Sequence, residues 1–324
     1  MISVLIEWEN VLLAEGDRCC EMLHRLRAQV REIVEADGTA FEILVLFNPE
    51  QIDGGAVRGV LGEHLVGDGL PNGVSLRLEP AVGEHYYDLR NVGARLATGE
   101  VLVCVDSDVI PEPGWLRALL TPMLAADGPG VVTGQTYLDN TDLVSWAFGA
   151  GWFFPVRDPS DEVLRESPMF FANNIAFRRE VLLAHPYPAL QDGQTRGSCA
   201  QLAKNLRAAG VGVWHASGAR ATHPAPNGWR HIGVRALAQG RDISIEWKMK
   251  GRSRLRRTLR AVSWSCTGVR RTLIRGCTKR EQLRMPVWQI VPAVAIMAWY
   301  YGLSLVGAWT VTLLPARFSR GWRV

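Results

Sequence analysis

Two aspartates separated by one residue, Asp106-Ser107-Asp108, directly follow the apolar run Val101–Val105. In an open sheet the residues just beyond a strand's carboxyl end face the ligand crevice, so both carboxylates can hold a hard divalent cation there through oxygen ligands. Such a cation neutralises a diphosphate. Taken alone, Asp-x-Asp is ordinarily a turn after a strand. Here it has context, with Arg90-Asn91-Val92-Gly93 and Gly99-Glu100 before it and Pro111-Glu112-Pro113-Gly114-Trp115 after it.

The pattern around these residues alternates strand-like apolar runs with periodic helical segments. Ser3–Ile6 reads as a strand, Cys19–Ala36 as a helix with Leu23, Leu26, Val30, Ile33 and Val34 on one face, and Glu42–Phe47 as a second strand. A loop rich in Gly and Asp leads to a strand over Val74–Leu78, a helix over Tyr87–Ala97 and the strand Val101–Val105. The expected class is α/β, a mixed or mostly parallel sheet flanked by helices, in which the residues after Ile6, Phe47 and Val105 share one crevice. Further on, Gly130–Gln135, Asn173–Phe177 and Val211–His215 read as strands and Ala200–Ala208 as a helix ended by Gly210. An aromatic group (Trp146, Trp152, Phe153, Phe154, Phe170, Phe171) is assigned to the acceptor side, where a sugar ring packs on an exposed indole.

The 324 residues are 48% apolar and 21% charged, which excludes a disordered or low-complexity chain. The net charge of +4 conceals an asymmetry. Residues 1–247 carry 20 basic against 31 acidic side chains, residues 248–284 carry 13 against 1, and residues 285–324 carry 3 against 0. The basic neck precedes a run from Met285 to Ala316 without a charge, longer than the ~20 residues that cross a bilayer as a helix. Anionic lipid is therefore the expected partner of the basic stretch, and nucleic acid is not. Arg284 on one side and Arg317, Arg320 and Arg323 on the other leave one tilted span and a re-entrant hairpin near Gly302 both open. The start, Met1 to Glu7, reads as a strand and not as a signal peptide, and six cysteines without metal-ligand spacing suit a reducing compartment. The expected organisation is a domain over 1–247, basic amphipathic helices over 248–284, a transmembrane or re-entrant segment over 285–316 and a basic tail over 317–324. The first domain is expected on the cytoplasmic side of the inner membrane.

Tyr87-Asp88-Leu89-Arg90-Asn91-Val92-Gly93 through Thr98-Gly99-Glu100, then Val101–Val105, Asp106-Ser107-Asp108 and Pro111-x-Pro113-x-Trp115-Leu116, resembles the central signature of the family-2 inverting glycosyltransferases of GT-A fold. Ala172-Asn173-Asn174-Ile175-Ala176-Phe177-Arg178-Arg179 and Ala221-Thr222-His223-Pro224 extend the resemblance, which covers about residues 1–245. It implies a nucleotide-sugar donor, Mn2+ or Mg2+, Asp106 on the ribose, Asp108 and His223 on the metal, and Arg90 near the phosphates.

Two departures stand out. After the first strand the chain has Glu7-Trp8-Glu9-Asn10, so the base contact falls to Glu7, Trp8 or Glu9; after the second it has Phe47-Asn48-Pro49, placing Asn48 where the family has an aspartate. An amide donates as well as accepts, which leaves the nucleotide open. The resemblance also implies a carboxylate base at the head of the helix before Ala209-Gly210, but the aligned residues are Ser198 and Cys199. A thiol near its reference pKa of ~8.5 is mostly protonated at neutral pH. The nearest carboxylate, Asp192, is the candidate general base. The expected activity is transfer of a single sugar to a glycan or lipid-linked acceptor, since the chain lacks the Gln-x-x-Arg-Trp signature of processive synthases. A nucleotidyltransferase and a non-catalytic nucleotide-sugar binder or scaffold are the alternatives.

Overall fold

Ile2–Glu7 (β1), Phe41–Phe47 (β2), Val74–Pro80 (β3) and Val101–Asp106 (β4) form parallel ladders. Every residue of β1, β2 and β4 is buried, which is why these segments read as unbroken apolar runs and not as alternating ones. β3 ends the sheet and is half-buried, so it tolerates Arg77 and Glu79. The computed structural model describes residues 1–9, 16–82, 86–158, 163–190, 194–315 and 322. Its contacts divide the chain into one unit of Met1–Thr136, Pro159–Pro188 and Ser198–His223, and another of Tyr137–Asp158, Ala189–Gly197 and Pro224–Val324.

In the first unit Gly16–Asp37 (α1) buries Met22, Leu23, Leu26, Val30 and Ile33 at helical spacing. Gln29 on the same helix donates to Glu112 O and accepts from Leu116 N, fixing α1 to the start of Trp115–Leu124 (α4). The segment expected as a Gly- and Asp-rich loop contains a helix, Gly54–Leu61 (α2). Asp53 caps it by accepting from the amides of Gly55 and Ala56, and buried Val57 and Leu61 hold it down. Tyr86–Leu96 (α3) leads into β4. A second local node joins the strands: Glu42 accepts from Ser3 Oγ and from the amides of Thr98 and Gly99.

The later elements are Ile110–Pro111 (β5), Val131–Leu138 (β6), Leu143–Gly151 (α5), Leu164–Glu166 (β7), Asn174–Arg178 (β8), Arg179–Ala184 (α6), Ser198–Ala208 (α7) and Val213–His223 (β9). Among the described residues nine strands make one mixed sheet in the order β3-β2-β1-β4-β8-β6-β9-β5, with β7 on β9. β8 lies antiparallel to β4, from Val101↔Arg178 to Val105↔Asn174, so the sheet is parallel on one side of β4 and antiparallel beyond it.

The second unit gathers α5 with Trp229–Met249 (α8), Arg254–Thr278 (α9) and Ile290–Leu313 (α10). The segment Val287–Leu313 is long and apolar enough to cross a membrane. Trp152 packs edge-to-face on Phe148 and Phe154, and Phe148 on Tyr300. Phe170 packs instead in the first unit, against Phe177 and Tyr187, so the aromatic group is divided between two cores.

Candidate active site

The β1–β4 register sets Glu7 beside Asp106 at the carboxyl ends of both strands. Arg90, reaching from α3, is 1% exposed and donates from its guanidinium to Asp106 Oδ1. Its guanidinium carbon also lies 5.8 Å from the centroid of the Tyr87 ring, which stacks on Tyr187. The arginine thus holds the Asp106 carboxylate in place. Glu9 donates its amide to Glu7 Oε1 at 2.5 Å. Burial, and then the Asp106 carboxylate, push Glu7 well above the usual carboxylate range. Burial and the neighbouring Asp108 push Asp106 up against the pull of Arg90, and burial takes Glu9 to about 7. This end of the sheet therefore carries more carboxylate than the guanidinium of Arg90 balances.

Asp108 meets His223 through strand pairing. β5 lies antiparallel to the end of β9, with Ile110 opposite Thr222 and Pro111 opposite Ala221, and this brings His223 Nε2 to 3.9 Å from Asp108 Oδ2. Arg18 locks the pair together: its Nε donates to Asp108 O at 2.6 Å, and its Nη2 to Thr222 O and Thr222 Oγ1 at 2.9 Å each. Sequence reasoning passed over Arg18. The signal it offered was a cation in the first turn of α1, where the helix dipole favours acids.

The donor set fits a divalent cation. A carboxylate oxygen and an imidazole nitrogen 3.9 Å apart are within the span of two ligands each ~2.1 Å from one ion. Among the described residues no three His, Cys, Asp or Glu side chains gather into a complete protein cage. Two protein ligands, with water and diphosphate oxygens completing the shell, is the mode in which Mg2+-like ions are usually held.

The remaining expected residues separate. Asn48 is 3% exposed and forms a turn: its Oδ1 accepts from Glu50 N at 3.0 Å and its carbonyl from Gln51 N and Ile52 N. Trp8 is 2% exposed and belongs to the hydrophobic core, so its indole serves packing, and Glu9 is the more open of the residues that follow β1. Asp192 lies outside the described residues. Ser198 Oγ donates to Pro188 O at 2.8 Å, and burial pushes the Cys199 thiol up, which agrees with neither being a base. Trp115, part of the recognised motif, is a strut: its Nε1 donates to Asn174 Oδ1 at 2.8 Å, and Asn174 Nδ2 donates to Ala219 O.

Residues 83–184, from α3 through Asp106-Ser107-Asp108 to α6, match the family described as Glycosyl transferase family 2. That segment, and with it the Asp-x-Asp turn, is similar to the family 2 glycosyltransferases. No curated protein matches the chain. Solved structures similar to it include GalNAc-T7 with UDP, GalNAc and Mn2+ (15% identity over 71% of this chain and 45% of that one, TM-score 0.48). Another is the mannosyltransferase PcManGT from Pyrobaculum calidifontis in complex with GDP-Man and Mn2+ (17% identity over 97% of this chain and 74% of that one, TM-score 0.46). The chain thus spans under half the length of GalNAc-T7.

Proposed function

We propose that this chain moves a single sugar from a nucleoside-diphosphate sugar to an acceptor hydroxyl, with inversion. The observation that carries the reading is the meeting, inside the matched segment, of Arg90-held Asp106 with Asp108, which β9 pairs with His223. In this reading Asp106 takes the ribose, Glu9 and Asn48 lie toward the base, and Asp108 with His223 hold Mn2+ or Mg2+. The chemistry a bound divalent cation supplies there is charge stabilisation of the departing diphosphate. The acceptor oxygen forms its bond to the anomeric carbon as the bond to the diphosphate breaks, and Asp192 takes the hydroxyl proton. We assign the acceptor to lipid-linked or cell-surface glycan precursors, and the domain to the cytoplasmic face of the inner membrane, held by the apolar C-terminal helix on anionic lipid.

One observation favours a second reading, donor binding without transfer: α7 begins with Ser198 and Cys199, and neither supplies a base. A turnover assay with the detergent-solubilised chain over a panel of nucleotide sugars separates the readings. Release of nucleoside diphosphate, lost in Asp192→Asn, supports transfer; release of sugar 1-phosphate, with the nucleoside monophosphate passing to the acceptor, indicates nucleotidyl transfer; binding without release over the panel favours the second reading.

A further inference from the structure

The second unit turns its polarity inward. On α10, Tyr301 Oη donates to Gly151 O at 2.7 Å, Thr312 Oγ1 lies 2.7 Å from Ser244 Oγ, and Tyr300 Oη pairs with Gln239. The outward side of the same segment shows Trp288, Val291, Trp299, Val306 and Leu313, with Val291 76% exposed. α9 repeats the arrangement. Arg257, Ala261, Ser265, Gly268, Thr272 and Gly276 face inward, while Leu255, Leu259, Val262, Cys266 and Leu273 form an exposed apolar stripe at helical spacing. Arg256, Arg260 and Arg270 are exposed beside that stripe, and α9 contains no acid. A helix with an exposed apolar stripe bordered by arginines is built for an anionic interface.

α10 is not available to cross a bilayer by itself. Along α8, Leu237 meets Gly307, Gly240 meets Ser304 and Ala308, and Ser244 meets Thr312. Along α9, Gly276 meets Ile290, Gly268 meets Tyr301, and Thr258 O accepts from Trp309 Nε1. So α8 runs parallel and α9 antiparallel to α10 over its length. If α10 spanned the membrane with these neighbours, Arg270, two residues beyond Gly268, would be carried toward the bilayer centre, where a charge is expensive.

We propose that α8, α9 and α10 form one monotopic membrane-docking unit. The outward stripes of α9 and α10 enter the acyl region of one leaflet, the α9 arginines engage anionic headgroups, and α10 does not cross. This deepens the membrane reading above and does not depend on the transfer chemistry. Charge selects lipid over a second copy of the chain, because two α9 faces brought together would set arginine against arginine with no acid in either helix.

Cys266 and Cys277, both exposed on α9, are native reporters. The full chain carrying a tag at each end is mixed with sealed phosphatidylcholine vesicles with or without phosphatidylglycerol, then treated with a membrane-impermeant maleimide or with external protease. With phosphatidylglycerol the two cysteines are expected to lose labelling, while both tags stay open to protease. Arg256→Gln with Arg260→Gln is expected to lose the preference for phosphatidylglycerol and keep nucleoside diphosphate binding. A C-terminal tag protected inside the vesicles, Cys266 labelled as fast with vesicles as without, or Cys266 cross-linking between two copies in the absence of lipid would each overturn the proposal. Nucleoside diphosphate binding on the same preparation reports on the donor site separately.

Discussion

Replacing Arg90 with Met keeps most of the side-chain stem and removes the guanidinium from a position that is 1% exposed. The Asp106 carboxylate, itself buried, then loses its hydrogen-bonded counter-ion, and Glu7 loses the cation that opposes its burial. Removing one partner of a buried pair costs about 3–5 kcal/mol, because the other is left uncompensated. Against a total stability of ~5–15 kcal/mol that is a large loss. The cost should fall largely on the charge left behind, so Asp106→Asn in the same chain is expected to restore at least about 2 kcal/mol of it, the range of coupling seen for residues sharing one network. Urea unfolding of the detergent-solubilised chain, followed by tryptophan fluorescence for Arg90→Met, Asp106→Asn and the double variant, measures the coupling. A loss below about 1 kcal/mol in Arg90→Met, or a double variant as unstable as the two single losses added together, would refute the reasoning.

Arg18→Met removes the three bonds that tie the Asp108 loop to Thr222, and is expected to weaken Mn2+-dependent nucleotide binding about 10-fold while the melting temperature stays nearly constant; calorimetry beside a thermal melt checks both. Gly99→Ala would place a methyl 2.7 Å from Ser3 N, inside the node that Glu42 closes, so a loss of about 1–3 kcal/mol in chemical unfolding is expected. Burial and the cations of Arg235 and Arg196 lower His231 to about 4 from an ordinary 6.5. Its folded pKa is depressed, so the unfolded chain takes up a proton first and stability falls as pH drops from 6.5 toward 4. His231→Gln should flatten that part of the stability curve relative to the parent chain, and equal slopes would count against it.

Much of the first unit could be read in advance because its strands are buried on both faces and its helices carry one apolar side, two patterns that depend only on local spacing. β1, α1, β2, β3, α3 and β4 fall within a few residues of their expected places. α2 escaped notice because its single cap, Asp53, sits in a Gly-rich stretch that also suits a turn. Asp106 and Asp108 were legible from their place at a strand end. Arg90 and His223 entered only through the family resemblance and not through local spacing, since Arg90 reaches Asp106 through packing of α3 and His223 reaches Asp108 only because β9 continues to the edge strand β5, eight residues beyond the strand expected at Val211–His215. Arg18 acts across 90 residues of chain on a backbone carbonyl, an interaction with no sequence pattern. The charge asymmetry of the neck was visible, whereas the lengthwise packing of α10 on α8 and α9 depends on small residues such as Gly240, Gly268 and Gly307, whose spacing carries no signal by itself.

The donor site is tested most directly by calorimetry on the detergent-solubilised chain with uridine, guanosine and thymidine diphosphates, each with and without Mn2+, beside Asp108→Ala. Binding of one nucleoside diphosphate that requires the metal and disappears in Asp108→Ala is the predicted result. Binding that is equally tight without metal or in Asp108→Ala, or no binding of any of the three with Mn2+ present, would contradict it.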